Sequence, residues 1–408
     1  MRLRVSTIAL AVAATLPSLA SAVDFSYSGF STAGYAQLDT DQAQVGYLGQ
    51  DAGIDSDGTM AADSKLGVQL SAKFNDMFSA TVQGVAYADT TAHWKPHLDW
   101  AYVRFQPVSR LSARAGYMRT PTFMYSDSVF VGYANTWIRP PMEVYNLAPA
   151  FQLRGVDLTW RDSIGEVNFS VQPYFGDSKL KIGEAEKTLN IPAWSGIAVS
   201  GQYRSFMARA GYASIETDGM DIGLGALIDP LKAAAAAFNC AACAKDAQHL
   251  DLDGTVLKIL DLGAQYDNGT DIAMVEYGHR SSSSYVIRGM YAAYATYGHR
   301  FGNFTPYATY AIARLNGRET SEIPAVGPLA GLSNVVTSTL AERFNNDQDT
   351  WSIGLRYEVP AFSVLSGAVA KLQYDSIDAK GGRGLFVAPQ PGFDGTAGMI
   401  SASFDFIF

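Results

Sequence analysis

The chain has 408 residues, 48% hydrophobic and only 17% charged, with a formal net charge of −9. An acidic chain without a block of Lys or Arg argues against nucleic acid as a partner. Two cysteines are too few for a disulfide scaffold, and after residue 22 no apolar run reaches the length of a membrane-spanning helix.

Residues 1–22 read as a secretory signal peptide. Arg2 and Arg4 form the positive n-region, Val5 to Leu16 the apolar stretch, and Ala20-Ser21-Ala22 the small-residue cleavage site. Removing the two arginines moves the formal charge from −9 to −11. Residues 23–408 are expected to form one domain.

From Val23 onward, segments of about ten to fifteen residues recur with apolar or aromatic side chains at every second position. The first covers 24–38. In 64–75, Leu66, Val68, Leu70, Ala72 and Phe74 share one face, and Lys65, Gly67, Gln69, Ser71 and Lys73 the other. A turn at Asn75-Asp76 leads to 78–90, followed by 97–107 and 111–119. Then comes an interruption over 120–151 with no repeating pattern. It carries seven aromatics (Phe123, Tyr125, Phe130, Tyr133, Trp137, Tyr145, Phe151) and three charges (Asp127, Arg139, Glu143). Connections in compact domains are usually a handful of residues, and a loop this apolar must pack against something.

Alternation resumes over 152–161, 166–176, 195–205, 206–216, 255–267, 271–281, 285–298, 303–315, 349–359, 362–377 and 398–408. The connections alternate between two to five residues and mostly long ones: 39–63, 120–151, 177–194, 217–254, 316–348 and 378–397. Residues 230–238, rich in alanine, predict a short helix with Pro230 in its first turn. About sixteen strands with short turns at one end and long loops at the other are the signature of an all-β transmembrane antiparallel β-barrel. In lipid every backbone polar group must pair internally, so a chain without a spanning helix must close its sheet. A barrel of this size has an interior too wide for side chains to fill, hence an aqueous channel.

The outward face must then be apolar and the inward face polar, because a charge on the lipid face at mid-depth costs roughly 2–4 kcal/mol. In 349–359, Trp351, Ile353, Leu355 and Tyr357 read outward, and Ser352, Gly354, Arg356 and Glu358 inward. In 285–298, Ile287, Tyr291, Ala293, Ala295 and Tyr297 read outward, and Arg288 and Thr296 inward. The same parity sends Arg104, Arg114, Arg161, Arg209 and Lys371 to the lumen with Asp157, Asp375 and Asp405; Arg314 is placed on neither face.

The chain resembles the Gram-negative trimeric porins. The stretches that carry the resemblance are SGFSTAGYA near the N-terminus, the hairpin SKLGVQLSAKFNDMFSATVQ, GHRFGNFTPYATYA at 298–311, DQDTWSIGLRYEVP at 347–360, and the terminal SASFDFIF. The resemblance implies sixteen strands, a homotrimer, a third extracellular loop folded into the lumen, and Phe408 as an address for the outer-membrane barrel assembly machinery. The family's usual Pro-Glu-Phe-Gly-Gly loop tip is absent here.

Other chemistry is poorly supported. The five histidines fall mostly in loops or near strand ends, and no G-x-S-x-G motif is present; no catalysis and no cofactor are expected. Asp51, Asp55, Asp57 and Gly58 hint at a calcium loop, but the EF-hand register fails, with Gly53 at its first position and Ser64 at its twelfth. A solvated loop is preferred there over loose divalent bridging to lipopolysaccharide. Cys240 and Cys243 have C-x-x-C spacing without a redox or zinc surround, and a local disulfide in a surface loop is the favoured reading. The functional expectation is a passive outer-membrane porin for small hydrophilic solutes and ions, embedded in lipid and lipopolysaccharide. At its constriction Arg104, Arg114 and Arg356 would face Asp127 and Glu143 of the long loop, with Arg139 also lining the pore. The alternatives are a pore selective for sugars or small organic acids, using the loop aromatics as a track, and an adhesin or structural barrel.

Overall fold

The computed structural model describes residues 23–46, 53–88, 94–148, 152–182, 187–219, 224–317, 320–343, 345–360, 367–380, 383–387 and 389–408. The signal-peptide expectation for 1–22 and the loop aromatic Phe151 lie outside them.

Sixteen antiparallel strands close into one barrel. The first eight are β1 (Asp24–Leu38), β2 (Lys65–Lys73), β3 (Phe78–Ala88), β4 (Trp94–Val108), β5 (Leu111–Arg119), β6 (Gln152–Ile164), β7 (Val167–Ile182) and β8 (Lys187–Tyr203). The rest are β9 (Phe206–Asp218), β10 (Thr255–Asp267), β11 (Asp271–Ser281), β12 (Met290–His299), β13 (Phe304–Leu315), β14 (Gln348–Val359), β15 (Ala368–Ala379) and β16 (Thr396–Ile407). Strands pair in chain order, and β1 pairs with both β2 and β16, so no edge remains. The seam runs to the last residue: the Gly29 N–H donates to the Phe408 carbonyl at 2.7 Å and the Phe408 N–H donates to the Gly29 carbonyl at 3.0 Å.

The alternation has the expected sense. Leu66, Val68 and Leu70 of β2 and Trp351, Ile353 and Leu355 of β14 are exposed on the outer face. Ser352, Lys371, Asp375, Asp405 and Asp157 are buried on the inner one. All sixteen predicted segments coincide with strands, with differences at their ends; positions 89–90 and 362–366 of two of them lie outside the described residues. The predicted connection over 177–194 is mostly strand: β7 and β8 continue as a hairpin because Leu189, Ile191 and Trp194 find full burial there. Conversely β12 begins only at Met290, so Ile287 and Arg288 sit in the connection before it. Arg288 is therefore not a strand residue lining the wall; it is buried in that connection and its guanidinium donates to the Gly317 carbonyl at 3.0 Å. Arg314, which parity places on neither face, lies at the end of β13 in an ion pair with Asp349.

Two smaller cores gather the long connections. One joins the ends of β1, β15 and β16 to residues 43–62 and 386–393, where Gln44–Val45 pairs with Phe386–Val387. The other is helical. After α1 (Met142–Tyr145) come α2 (Gly225–Phe238), α3 (Ala241–Leu250) and α4 (Ala330–Arg343). Leu231 of α2, Leu250 of α3 and Val336 and Leu340 of α4 enclose Tyr285. The Tyr285 hydroxyl donates to Asp246 at 3.1 Å, and Ser321 donates to the same carboxylate at 2.7 Å. Nearby, a hydrogen bond from Lys245 holds the exposed Glu322 carboxyl below its ordinary range. The predicted helix at 230–238 starts earlier, at Gly225, which moves Pro230 from the first turn to the helix interior. Burial of Leu224 and Leu227 in the helical core accounts for the extra length.

The corner between α2 and α3 has Asn239 in the left-handed region at φ 48° and the disulfide Cys240–Cys243, with Cα atoms 5.2 Å apart. Closing so small a loop is worth about 2 kcal/mol by chain entropy. Cys240→Ser with Cys243→Ser is accordingly expected to make the α2–α3 connection cleavable by protease while the barrel stays folded. Equal cleavage of both forms would show that the helical core alone holds the corner.

Candidate functional site

The connection from β5 to β6, residues 120–148 as described, is bonded to side chains of β9 and β11 to β16. Its aromatics are packed rather than displayed: Phe123, Phe130, Trp137 and Tyr145 are buried, and Tyr125 and Tyr133 half-buried. The Trp137 indole N–H donates to the hydroxyls of Thr296 on β12 and Thr309 on β13, each at 3.0 Å. Tyr125 and Tyr294 meet the same ring edge-to-face at 5.5 and 5.4 Å. On β11 the Glu276 carboxylate accepts from the Met124 N–H at 2.7 Å, the Tyr145 hydroxyl at 3.1 Å and the Tyr294 hydroxyl at 2.8 Å.

Cations of the wall satisfy the backbone carbonyls that such an irregular segment leaves open. Arg209 donates to Thr122 O at 3.0 Å and also to Pro121 O, while Arg280 donates to Leu147 O at 2.9 Å. Arg356 donates to Tyr133 O at 2.8 Å and Asn135 O at 3.0 Å. Lys371 donates to Gly132 O at 2.6 Å and Trp137 O at 2.8 Å, and is paired with Asp405 at 3.2 Å. Glycine is required at 132, where a Cβ would lie 2.0 Å from the Asp405 carboxylate. Arg139 is buried, bonded to Asp63 at 2.8 Å and to the Ser401 hydroxyl.

Two expectations are corrected by these contacts. Arg356 does not face a loop carboxylate; the loop presents carbonyls to it. Glu143 does not face the arginines: it is buried at the start of α1 and accepts from Gln348 at 2.8 Å and Thr350 at 2.5 Å. In both cases the unpaired polar groups of a folded-back loop are met by the nearest wall side chain.

Strands β2 to β8 also meet the loop, at Tyr87 against Phe130 and at Tyr174 beside Thr122, and between these contacts keep polar side chains bonded to one another: Gln69 with Gln83 at 3.1 Å, Ser71 with Thr81 at 3.2 Å, and Ser170 with Ser200 at 2.8 Å. Arg104 and Arg114 are register partners on β4 and β5. The Arg114 guanidinium forms a fork on Asp157 of β6, with Nε at 3.0 and 3.1 Å from its two oxygens, and lies 5.1 Å from the Tyr102 ring. Arg104 makes no hydrogen bond or ion pair among the described residues, and its Nε is buried. Arg161 is exposed near the short turn after β6. Asp127 is the one loop carboxylate left exposed, in the field of Arg114, Arg119 and Arg209. Arg104 and Arg114 are thus neighbours and Asp127 lies in the field of Arg114, whereas Arg139, Glu143 and Arg288 make their contacts elsewhere.

Parity missed an ion pair beside this group. Arg119 and Asp99 are both buried, 2.8 Å apart, and the Arg119 guanidinium lies 4.0 Å from the Phe130 ring. Asp99 is the extra residue of a bulge, since Gln83 pairs with Trp100 and Gly84 with Leu98. One added residue reverses the face of everything beyond it. Arg209, inward as parity predicts, is paired with Asp261 of β10 at 2.7 Å.

No protein-family model and no curated protein matches the chain. Solved structures do match its barrel, which has the fold of the sixteen-stranded outer-membrane porins. OmpF of Salmonella typhi, in complex with daunomycin, gives a TM-score of 0.56 at 11% identity, covering 94% of this chain and 97% of that one. The anion-selective porin from Comamonas acidovorans gives 0.53 at 11% identity, covering 95% and 100%. A loop L8 deletion mutant of OmpT, an outer membrane protein of Vibrio cholerae, gives 0.53 at 11% identity with the same coverage. At this identity the likeness establishes fold alone.

Proposed function

We propose that this protein is an outer-membrane porin, a water-filled channel for passive diffusion of small hydrophilic solutes and ions. The 120–148 segment crosses the lumen from the extracellular end and narrows it to a path along β3 to β9. The observation that carries this reading is the asymmetry of the inner face. Strands β9 to β15 hold the loop through Arg209, Arg280, Arg356 and Lys371, while β4 and β5 keep Arg104 and Arg114 side by side, Arg114 in the field of an exposed Asp127, with Arg161 nearer the short-turn end. Opposed charges across a water-filled gap favour polar solutes. Burial of Phe123, Phe130, Trp137 and Tyr145 weighs against an aromatic track for one solute class.

The rest of the reading follows from the setting. The chain is exported with residues 1–22 as its signal peptide, sits in outer-membrane lipid and lipopolysaccharide as a homotrimer, and is assembled through its terminal strand ending in Phe408. It catalyses no reaction. Liposome swelling with sugars of increasing size, together with planar-bilayer recording, tests it. The expected result is ohmic conductance and swelling that declines with solute size. A folded barrel that conducts nothing is an adhesin or structural anchor; conductance blocked at micromolar solute is a selective pore.

A further inference from the structure

We propose that a cavity between the end of the long loop and β13–β15 binds a hard divalent cation of the calcium class, held by Glu143 and Asp375. The cavity measures about 50 Å³ and is lined by these two carboxylates with Thr309, Gln348, Thr350 and Ser352. That volume accommodates a cation and a water or two.

The charge inventory around the cavity leaves a remainder. Buried charges are paired or coordinate metals, because an unpaired one costs far more than its contacts return. Here Arg139 is matched by Asp63 at 2.8 Å and Lys371 by Asp405 at 3.2 Å, while Arg356 and the buried Lys65 do not line the cavity. Glu143 and Asp375 form no ion pair among the described residues, although both are only 3% exposed; Arg139 acts on Asp375 only through its field. Both open onto the same cavity. Hydrogen bonds do not complete the account. One Asp375 oxygen accepts from Gln373 at 2.8 Å, and the other, Oδ2, is buried with no partner.

The donor set also selects the ligand. Every polar group offered to the cavity besides Arg139 is a carboxylate, a hydroxyl or a side-chain amide, and hard oxygen donors suit Ca²⁺ or Mg²⁺ rather than Zn²⁺. The oxygens come from a loop helix and three strands at irregular spacing, which fits the flexible coordination of Ca²⁺ better than the strict octahedron of Mg²⁺. Arg139 lines the cavity too, but its guanidinium is turned to Asp63 and Ser401. A cation here would join the loop at Glu143 to the wall at Asp375.

The test is calorimetric titration of CaCl₂ into the full chain, folded in detergent and stripped with a chelator. It is repeated for Asp375→Asn, Glu143→Gln and the control Asp57→Asn. One Ca²⁺ per wild-type chain is expected, with affinity about tenfold or more weaker in Asp375→Asn and Glu143→Gln and unchanged in the control. Ca²⁺ should also raise the melting temperature of the stripped wild type. Absence of saturable binding, binding unaffected by either cavity variant, or an infrared band of protonated carboxyl in wild type that persists at saturating CaCl₂ and is lost in Asp375→Asn would each overturn the site. If Asp375→Asn does not fold, Glu143→Gln decides. Because binding is read in detergent, failure of the site and failure of the channel reading remain distinguishable.

Discussion

Replacing Trp137 by alanine is expected to raise single-channel conductance and relax the size limit for solutes, with the barrel still closed. The ring is 1% exposed and is the point at which the loop meets β12 and β13. Truncating a buried tryptophan to alanine costs about 3–5 kcal/mol, mostly through the cavity left behind. Little of that comes from orphaned wall groups, since the Thr296 and Thr309 hydroxyls already bond one another at 2.8 Å. What is lost is the packing of Tyr125 and Tyr294 against the indole. The ties through Arg356, Arg209 and Glu276 survive, so the loop loosens without leaving the lumen. Trp137→Phe keeps most of the packing and forfeits one shared N–H, a loss of about 0.5–1.5 kcal/mol, and should conduct like wild type. Bilayer recordings of both variants with thermal melts check this. Wild-type conductance and current noise in Trp137→Ala would mean that the loop is not what limits the path.

The barrel was legible in the sequence because lipid enforces it. An outward charge is costly, so alternation survives in β2, β14 and the arginine-bearing strands well enough to count them. The same rule faded where no water meets the wall. Met274, Met290, Ala292, Tyr294, Tyr307 and Ala311 belong to one buried cluster with Trp137, Tyr145 and Leu147. An inner face that carries a loop reads as apolar, and the charged residues embedded in it, Glu276 and Arg280, have no polar neighbours to mark them. Asp99 was hidden differently, by a bulge in β4 that no residue type announces, and Arg119 is the last residue of β5. The third blind spot was helical. In α4 the buried positions Ser333, Val336 and Leu340 do recur at helical spacing, but among Thr, Ser and Val residues of weak helix propensity. That helix exists because Tyr285, α2 and α3 supply its partners, and those contacts are between segments far apart in the chain.

Arg104→Ala and Arg114→Ala are both expected to move the reversal potential toward cation selectivity, and only the second should also destabilise the fold. The two side chains are neighbours on β4 and β5, but their surroundings differ. Arg104 has no ion-pair partner among the described residues, so its removal subtracts a positive charge and orphans nothing. Arg114 is forked on Asp157, whose side chain is only 1% exposed. Deleting one partner of a buried pair typically costs about 3–5 kcal/mol, because the other charge is left behind. The double variant Arg114→Ala with Asp157→Asn removes both charges. It should regain most of the melting temperature and return the reversal potential toward wild type, whereas adding Asp157→Asn to Arg104→Ala leaves Arg114 unpaired and should lower the melting temperature. Recordings belong at about 0.1 M salt or below, where the Debye length is about 10 Å; at 1 M it falls to about 3 Å and the lumen charges are screened from the permeating ions. If Arg104→Ala leaves the reversal potential unchanged at low salt, the ion path does not pass β4, and the asymmetry of the inner face has been assigned to the wrong half.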